Sequence, residues 1–211
     1  MNKQVSGLYA VTPEVADSIV LVGKIEAALR GGARVIQYRS KSTDDSLRRE
    51  QAAAIARLCR ARDALFIVND SATLAHEVDA DGVHLGRNDG DVTAARAVLG
   101  PAKLIGVSCY DELTRARAAQ SNGADYVAFG SFFPSATKPL AVRADMELLR
   151  RAVLEISLPV VAIGGINEDN AGRLIAAGAA AIAVVSALFD APDIEARARS
   201  FSRLFQVPVD S

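Results

Sequence analysis

Short apolar runs punctuate the chain at positions 8–11, 35–38, 65–68, 82–85, 104–107, 126–129, 160–163 and 181–185. Each run is nearly continuous rather than alternating, the pattern of a strand covered on both faces in a parallel sheet. Between most of them the apolar positions shift to helical spacing. Residues 19–29 follow that spacing and stop at Gly31-Gly32, a natural helix end. Residues 46–60 and 112–121 behave alike, the second ending near Gly123. Asn167 is a candidate cap for a helix over 168–177 that runs out at Gly178. A terminal helix is predicted over 193–205, and a short one after Asp70 carries His76.

Repeated strand–helix alternation, with no Pro/Ser-rich linker, predicts an α/β fold: a (β/α)8 TIM barrel forming a single domain over residues 1–211. The chain is short for that fold, so its loops and some helices must be trimmed. A doubly wound open sheet is the alternative. The similar repeat lengths and the absence of a glycine fingerprint after the first strand favour the barrel. The motif Gly-Ala-Asp at 123–125 returns as Gly-Ala-Ala at 178–180, each time before an apolar run. It reads as helix end plus turn, a weak half-barrel repeat.

In such a barrel the loops after the strands form the active-site face. That rule gathers polar clusters scattered along the chain. After the second strand come Gln37, Arg39 and Lys41. Alternate residues of a strand share a face, so these three can converge while Tyr38 points away. Arg supplies a forked donor and Lys a point charge for phosphate oxygens. Asn69-Asp70 follows the third strand and Asp89 the fourth. Two carboxylates from adjacent strand ends suit Mg²⁺ shared with substrate phosphates, although Asp70 could equally cap a helix and Asp89 serve a turn. The loop 130–139 holds hydroxyls at Ser135 and Thr137 beside Lys138, stiffened by Pro134 and Pro139. Gly164-Gly165 and Val185-Ser186 follow the seventh and eighth strands, the usual phosphate position of this barrel. His84 falls inside a strand and reads as a hydrogen-bonded core residue. No Ser-His-Asp or Cys-His arrangement is visible. Two anion centres and a metal centre without a nucleophile suit departure of a metal-bound pyrophosphate and capture of the resulting cation by a second molecule.

Composition narrows this picture. Half of the residues are apolar, enough for a sizeable core, and the formal net charge is −1. That balance argues against nucleic-acid or anionic-membrane partners, leaving small-molecule substrates. No signal peptide is apparent, and the longest apolar stretch, 174–189, is shorter than the roughly 20 residues of a membrane helix. Cys59 and Cys109 lack metal-ligand spacing, so a reducing cytoplasm is expected. A homo-oligomer is compatible with the sequence but not indicated by it.

The motifs resemble those of the thiamine phosphate synthase (thiamine-phosphate pyrophosphorylase) family. The matching stretches are Gly-Leu-Tyr-Ala-Val-Thr (7–12), Val-Ile-Gln-Tyr-Arg-Ser-Lys (35–41), Phe-Ile-Val-Asn-Asp (66–70), Asp-Gly-Val-His-Leu-Gly (81–86) and Ile-Gly-Val-Ser (105–108). They continue with Gly-Ala-Asp-Tyr-Val (123–127), Phe-Pro-Ser-Ala-Thr-Lys (133–138), Ala-Ile-Gly-Gly-Ile (162–166) and Val-Val-Ser-Ala (184–187). The resemblance implies a (β/α)8 transferase requiring Mg²⁺. It would join 4-amino-2-methyl-5-hydroxymethylpyrimidine diphosphate to 4-methyl-5-(β-hydroxyethyl)thiazole phosphate, giving thiamine phosphate and pyrophosphate through a carbocation. It further implies that Gln37, Arg39, Lys41, Asn69 and Lys138 hold the pyrimidine diphosphate and that Asp70 and Asp89 bind the metal. Ser108 would approach the pyrimidine. Ser135 and Thr137, with Gly165, Val185 and Ser186, would take the thiazole phosphate. Arg39, Lys41, Ser108 and Lys138 would carry the catalysis.

This chain departs from the family pattern at Arg87-Asn88, where Gln-Glu is frequent, at Cys109-Tyr110, where Thr-His is common, and at Ser135, where Thr is frequent. Arg87 could perturb the metal if it points inward. Two competitors remain. A thiazole tautomerase would need a histidine where Tyr110 stands. A non-catalytic precursor-binding barrel would have no need to keep Lys41, Asp70, Asp89 and Lys138 together.

Overall fold

The computed structural model describes residues 4–134 and 142–206. Eight parallel strands close into a barrel in sequence order, with β1 pairing β8 (Tyr9 opposite Ala183). The strands are β1 Gly7–Val11, β2 Val35–Tyr38, β3 Leu65–Asn69, β4 Gly82–Leu85, β5 Leu104–Tyr110, β6 Tyr126–Phe129, β7 Val160–Ile163 and β8 Ala181–Val184. The helices are α1 Ser18–Arg30, α2 Asp45–Ala61, α3 Ala72–Glu77, α4 Val92–Leu99, α5 Leu113–Ser121, α6 Met146–Glu155, α7 Glu168–Ala176, α8 Ser186–Phe189 and α9 Ile194–Arg203. The expected fold is therefore observed.

Continuous apolar strands are needed because each covers two cores. Leu8, Ile36, Phe66, Val83, Ile105 and Val127 face outward into the layer shared with the helices. Tyr9, Val11, Val35, Leu65, Ile67, Tyr126 and Val161 form a second, smaller core inside the barrel. The two-residue period then dictates what reaches the C-terminal mouth. Gln37 follows Val35 on the inward face, Asn69 follows Ile67, His84 follows Gly82, and Ser108 follows Gly106. Tyr38 points outward as expected, its hydroxyl donating to Gln51 Oε1 of α2.

Most helix starts are set by side-chain caps; α5 and α8 have none. Asp17, Asp44, Ser71, Asp91, Asp145 and Asp193 each accept from first-turn N–H groups. Asn167 caps α7 as anticipated, in a reciprocal box with Asn170. Ser71, not Asp70, caps α3.

Several boundaries differ from expectation. β5 runs past Val107 to Tyr110, with a register shift between Ser108 and Tyr110, where φ of Tyr110 is +57°. That bulge re-aims the end of the strand toward the mouth. Val185 is not strand but the cap of α8. Helices α4 and α6 go beyond the expected elements, although Asp91 and Asp145 cap them and their apolar residues fall at helical spacing; α8 is a single turn.

Candidate active site

A cavity of about 840 Å³ opens at the C-terminal end of the barrel, within the size range of small-molecule sites. Its floor is polar and buried. Gln37, Tyr9, Tyr126 and His84 lie there, joined by hydrogen bonds, with Ser108 beside His84. His84 is hydrogen-bonded and buried, as expected for a core histidine, and it also lines the cavity. Burial pushes the Tyr9 and Tyr126 phenols well above their ordinary range, so both remain neutral.

On one side the wall is Gln37, Arg39 and Asn69. Thr12, at the end of β1, holds Arg39 in place: its hydroxyl accepts from Arg39 N–H at 2.9 Å and donates to Arg39 C=O. The Arg39 guanidinium is 3.5 Å from Glu14, a counter-charge that the strand-end pattern does not reveal. Glu14 also accepts from the Lys41 N–H. Lys41 does not line the cavity with Gln37 and Arg39. It is exposed two residues beyond Arg39, because the chain leaves the strand after Tyr38 and period-two alternation ends there.

The two acidic candidates follow lining residues. Asp70 is exposed, next to Asn69, with φ +66° and its N–H bonded to His84 C=O at 2.8 Å. Asp89 is half-buried next to Asn88, and its Oδ2 accepts from Gly86 N–H at 2.8 Å. Asp89 thus does serve a turn, and that contact fixes the carboxylate. Among the described residues no group of three or more His, Cys, Asp or Glu is placed to hold a metal. Arg87 reaches the cavity, but its side chain is engaged at the rim. Its guanidinium pairs with Glu112 and lies 4.8 Å from the centre of the Tyr110 ring, while its N–H donates to the Tyr110 hydroxyl.

The opposite wall is formed by Ile163, Gly164, Gly165, Asn167, Val185 and Ser186. Gly164 and Gly165 have φ of +103° and +64°, and a Cβ on them would lie 2.1 Å from Ser131 Oγ and 2.3 Å from Pro134 C=O. Both glycines are therefore required by the docking of the β6 loop, whatever anion they also serve. The stems of that loop are tied down: Ser131 N–H donates to Val142, Ala144 N–H to Ser131, and Phe133 N–H to Gly164. Ser135, Thr137 and Lys138 lie outside the described residues.

Sequence reasoning passed over Tyr9 and Tyr126 as ordinary strand residues. Their inward phase, opposite to that of Leu8 and Val127, is the signal that marks them. It also passed over Arg115 of α5, whose guanidinium donates to the Ser108 and Gly86 carbonyls and binds the ends of β5 and β4 together.

The class defined by these features is a (β/α)8 barrel with a polar-floored cavity at its C-terminal face and a short helix after β8. Residues 8–188 match the model of a family described as thiamine monophosphate synthase. The chain is 56% identical over 204 residues to the thiamine-phosphate synthase of Aromatoleum aromaticum, covering 97% of this chain and 98% of that protein. It is 56% identical over 199 residues to that of Thiobacillus denitrificans, with 94% of each covered. A solved thiamine phosphate pyrophosphorylase from Pyrococcus furiosus superposes with a TM-score of 0.85 at 37% identity, over 95% of each chain. The chain belongs to the thiamine monophosphate synthase family.

Proposed function

We propose that this transferase of thiamine biosynthesis condenses 4-amino-2-methyl-5-hydroxymethylpyrimidine diphosphate with 4-methyl-5-(β-hydroxyethyl)thiazole phosphate. The observation that carries the reading is that one cavity has Gln37, Arg39 and Asn69 on one wall and Gly165, Val185 and Ser186 on the other. Two phosphorylated ligands can then meet over the floor at Ser108. The C–O bond to the diphosphate breaks first and the electron pair leaves with pyrophosphate. The lone pair of the thiazole nitrogen then forms the new C–N bond to the methylene cation. No protein nucleophile is required, and the thiol nearest the site, Cys109, is buried with its pKa pushed up to about 12.

In this reading Arg39 and Lys41, with Lys138, neutralise charge that builds on the departing diphosphate, and Asn69 and Gln37 orient the pyrimidine. Gly165, Val185 and Ser186, with Ser135 and Thr137, take the thiazole phosphate. Asp70 and Asp89 fit Mg²⁺: they are hard oxygen donors from adjacent strand ends, and Gly86 holds one of them in a fixed orientation. With two protein carboxylates, Mg²⁺ would draw its other oxygen ligands from substrate phosphates and water. When bound, Mg²⁺ would supply charge neutralisation for the leaving group. The small-molecule substrates call for no nucleic-acid or membrane contact, and no helix of the described residues is long and apolar enough to cross a membrane. Buried thiols at Cys59 and Cys109 suit the cytoplasm.

The test is incubation of the purified chain with both substrates and Mg²⁺. Equal yields of pyrophosphate and thiamine phosphate support the proposal. Isomerised thiazole without pyrophosphate release would assign a tautomerase instead, and binding without turnover a regulator. Tyr110 stands in the cavity wall where a tautomerase needs histidine and so speaks against an isomerase, while also departing from the histidine common in the synthase family.

A further inference from the structure

Five side chains from five strands form one line of hydrogen bonds across the cavity floor. Gln37 Nε2 donates to the Tyr9 hydroxyl at 2.7 Å. The Tyr9 and Tyr126 hydroxyls are 2.9 Å apart. Tyr126 Oη lies 3.1 Å from His84 Nδ1, and His84 Nε2 lies 2.9 Å from Ser108 Oγ. The His84 and Tyr126 rings are stacked, 30° apart in plane, which holds the imidazole in this orientation.

The direction of each link fixes the next. Because the Gln37 amide donates to Tyr9, the Tyr9 oxygen is already an acceptor and its proton must find another partner. Among the described residues the Tyr126 oxygen is the one acceptor it has. A fully buried phenol left without an acceptor carries its full desolvation cost, so Tyr9 donates to Tyr126. Tyr126 must then donate to His84 Nδ1. The imidazole proton therefore sits on Nε2 and is donated to Ser108 Oγ. The proton of Ser108 itself is left to point into the cavity. In the opposite direction Tyr9 would accept twice, and its buried proton would have no partner.

We propose that this line is a one-way relay that holds His84 as the Nε2–H tautomer and thereby presents the Ser108 hydroxyl as a hydrogen-bond donor to the bound pyrimidine diphosphate. The identity of that acceptor rests on the function proposed above. Ser108 is the group that touches substrate, and His84, Tyr126, Tyr9 and Gln37 are positioning residues acting through it. A donor aimed at a substrate on which negative charge develops stabilises the transition state more than the ground state. Loss of the relay therefore acts on kcat before KM.

The tautomer is directly measurable. The chain has two histidines, and His76 is exposed while His84 is buried. A long-range ¹H–¹⁵N spectrum of the whole protein at about pH 8, where an ordinary imidazole is neutral, shows which nitrogen carries the proton. His76→Gln assigns the second signal. The relay predicts the proton on Nε2 of His84. A proton on Nδ1, as a turned Gln37 amide and a reversed line would give, or averaging between the two, overturns it without reference to activity. Kinetics supply the second arm. His84→Leu and Tyr126→Phe should each lower kcat about tenfold and leave KM within about threefold. His84→Gln, which returns an N–H near the Nε2 position, should recover most of kcat. Equal losses in the Gln and Leu variants would overturn the positioning role. Failure of the wild type to make thiamine phosphate would instead refute the proposed function, with the tautomer measurement unaffected.

Discussion

Gly106→Ala should be among the most damaging single-methyl additions in this barrel. Gly106 lies on the inward face of β5 with no left-handed φ, so backbone strain plays no part. A Cβ there would sit 2.0 Å from Cζ of Tyr126 and 2.4 Å from both Cε atoms. Ordinary carbon contacts are about 3.5–4.0 Å, so the ring would have to retreat by roughly 1.5 Å. Tyr126 is fully buried and its hydroxyl lies between Tyr9 and His84, which leaves little room for such a shift. Overpacking of a core costs about 1–3 kcal/mol, and detaching a buried hydroxyl adds about 1–3 kcal/mol. A loss of about 2–6 kcal/mol lowers the Tm of a domain this size by roughly 5–20 °C. Calorimetry of the wild type, Gly106→Ala, Tyr126→Ala and the double variant would measure it. The methyl should cost far less once the ring is gone, a strong coupling between the two positions. Gly23→Ala is the control: nothing lies within 4 Å of its added Cβ on α1, and it should stabilise by about 0.5–1 kcal/mol. A Gly106→Ala protein melting with the wild type, or strictly additive effects, would refute the reasoning.

Asp89→Asn should weaken the Mg²⁺ dependence of turnover while the Tm stays within a few degrees, because this loop carboxylate serves one turn; full wild-type activity in excess chelator would remove the metal role. Lys41→Ala should mainly impair use of the pyrimidine diphosphate and Ser186→Ala should mainly raise KM for the thiazole phosphate, each by the equivalent of about 1.5–3 kcal/mol for a charge-assisted contact; indistinguishable effects on both substrates would reverse or dissolve the pocket assignment. Stability should fall on the alkaline side. Burial raises the Cys109 thiol from its ordinary 9.0 to about 12 and raises both floor phenols. The unfolded chain thus loses these protons first, so the contribution is complete below pH 9 and is lost as pH rises through the folded values. Urea midpoints constant from pH 8 to pH 11 would contradict that.

The barrel was legible because each strand must bury both faces, and that requirement writes continuous apolar runs that no surface helix shares. The strand ends were legible for the same reason: Gln37 and Asn69 continue the inward phase of Val35 and Ile67 and do reach the cavity. Lys41 did not follow, because phase is lost once the chain leaves the strand. The Gly164-Gly165 pair was visible, but one physical reason for it was not: it admits the β6 loop, a contact between segments some thirty residues apart. Glu14 beside Arg39, and Arg115 bridging Ser108 and Gly86, are likewise tertiary partners that local spacing cannot encode. Tyr9 and Tyr126 were hidden by their own suitability as strand residues, and only the closed barrel brings their hydroxyls together.

A crystal structure of the chain with thiamine phosphate, pyrophosphate and Mg²⁺ tests the central claim most directly. The account predicts the product in the C-terminal cavity, its pyrimidine over Gln37 and Ser108 and its phosphate against Gly165 and Ser186. Pyrophosphate should lie beside Arg39 and Lys41, with the metal held between it and Asp70 and Asp89. Product seated outside this cavity, or its phosphate on the Arg39 wall with pyrophosphate against Gly165, would contradict the account.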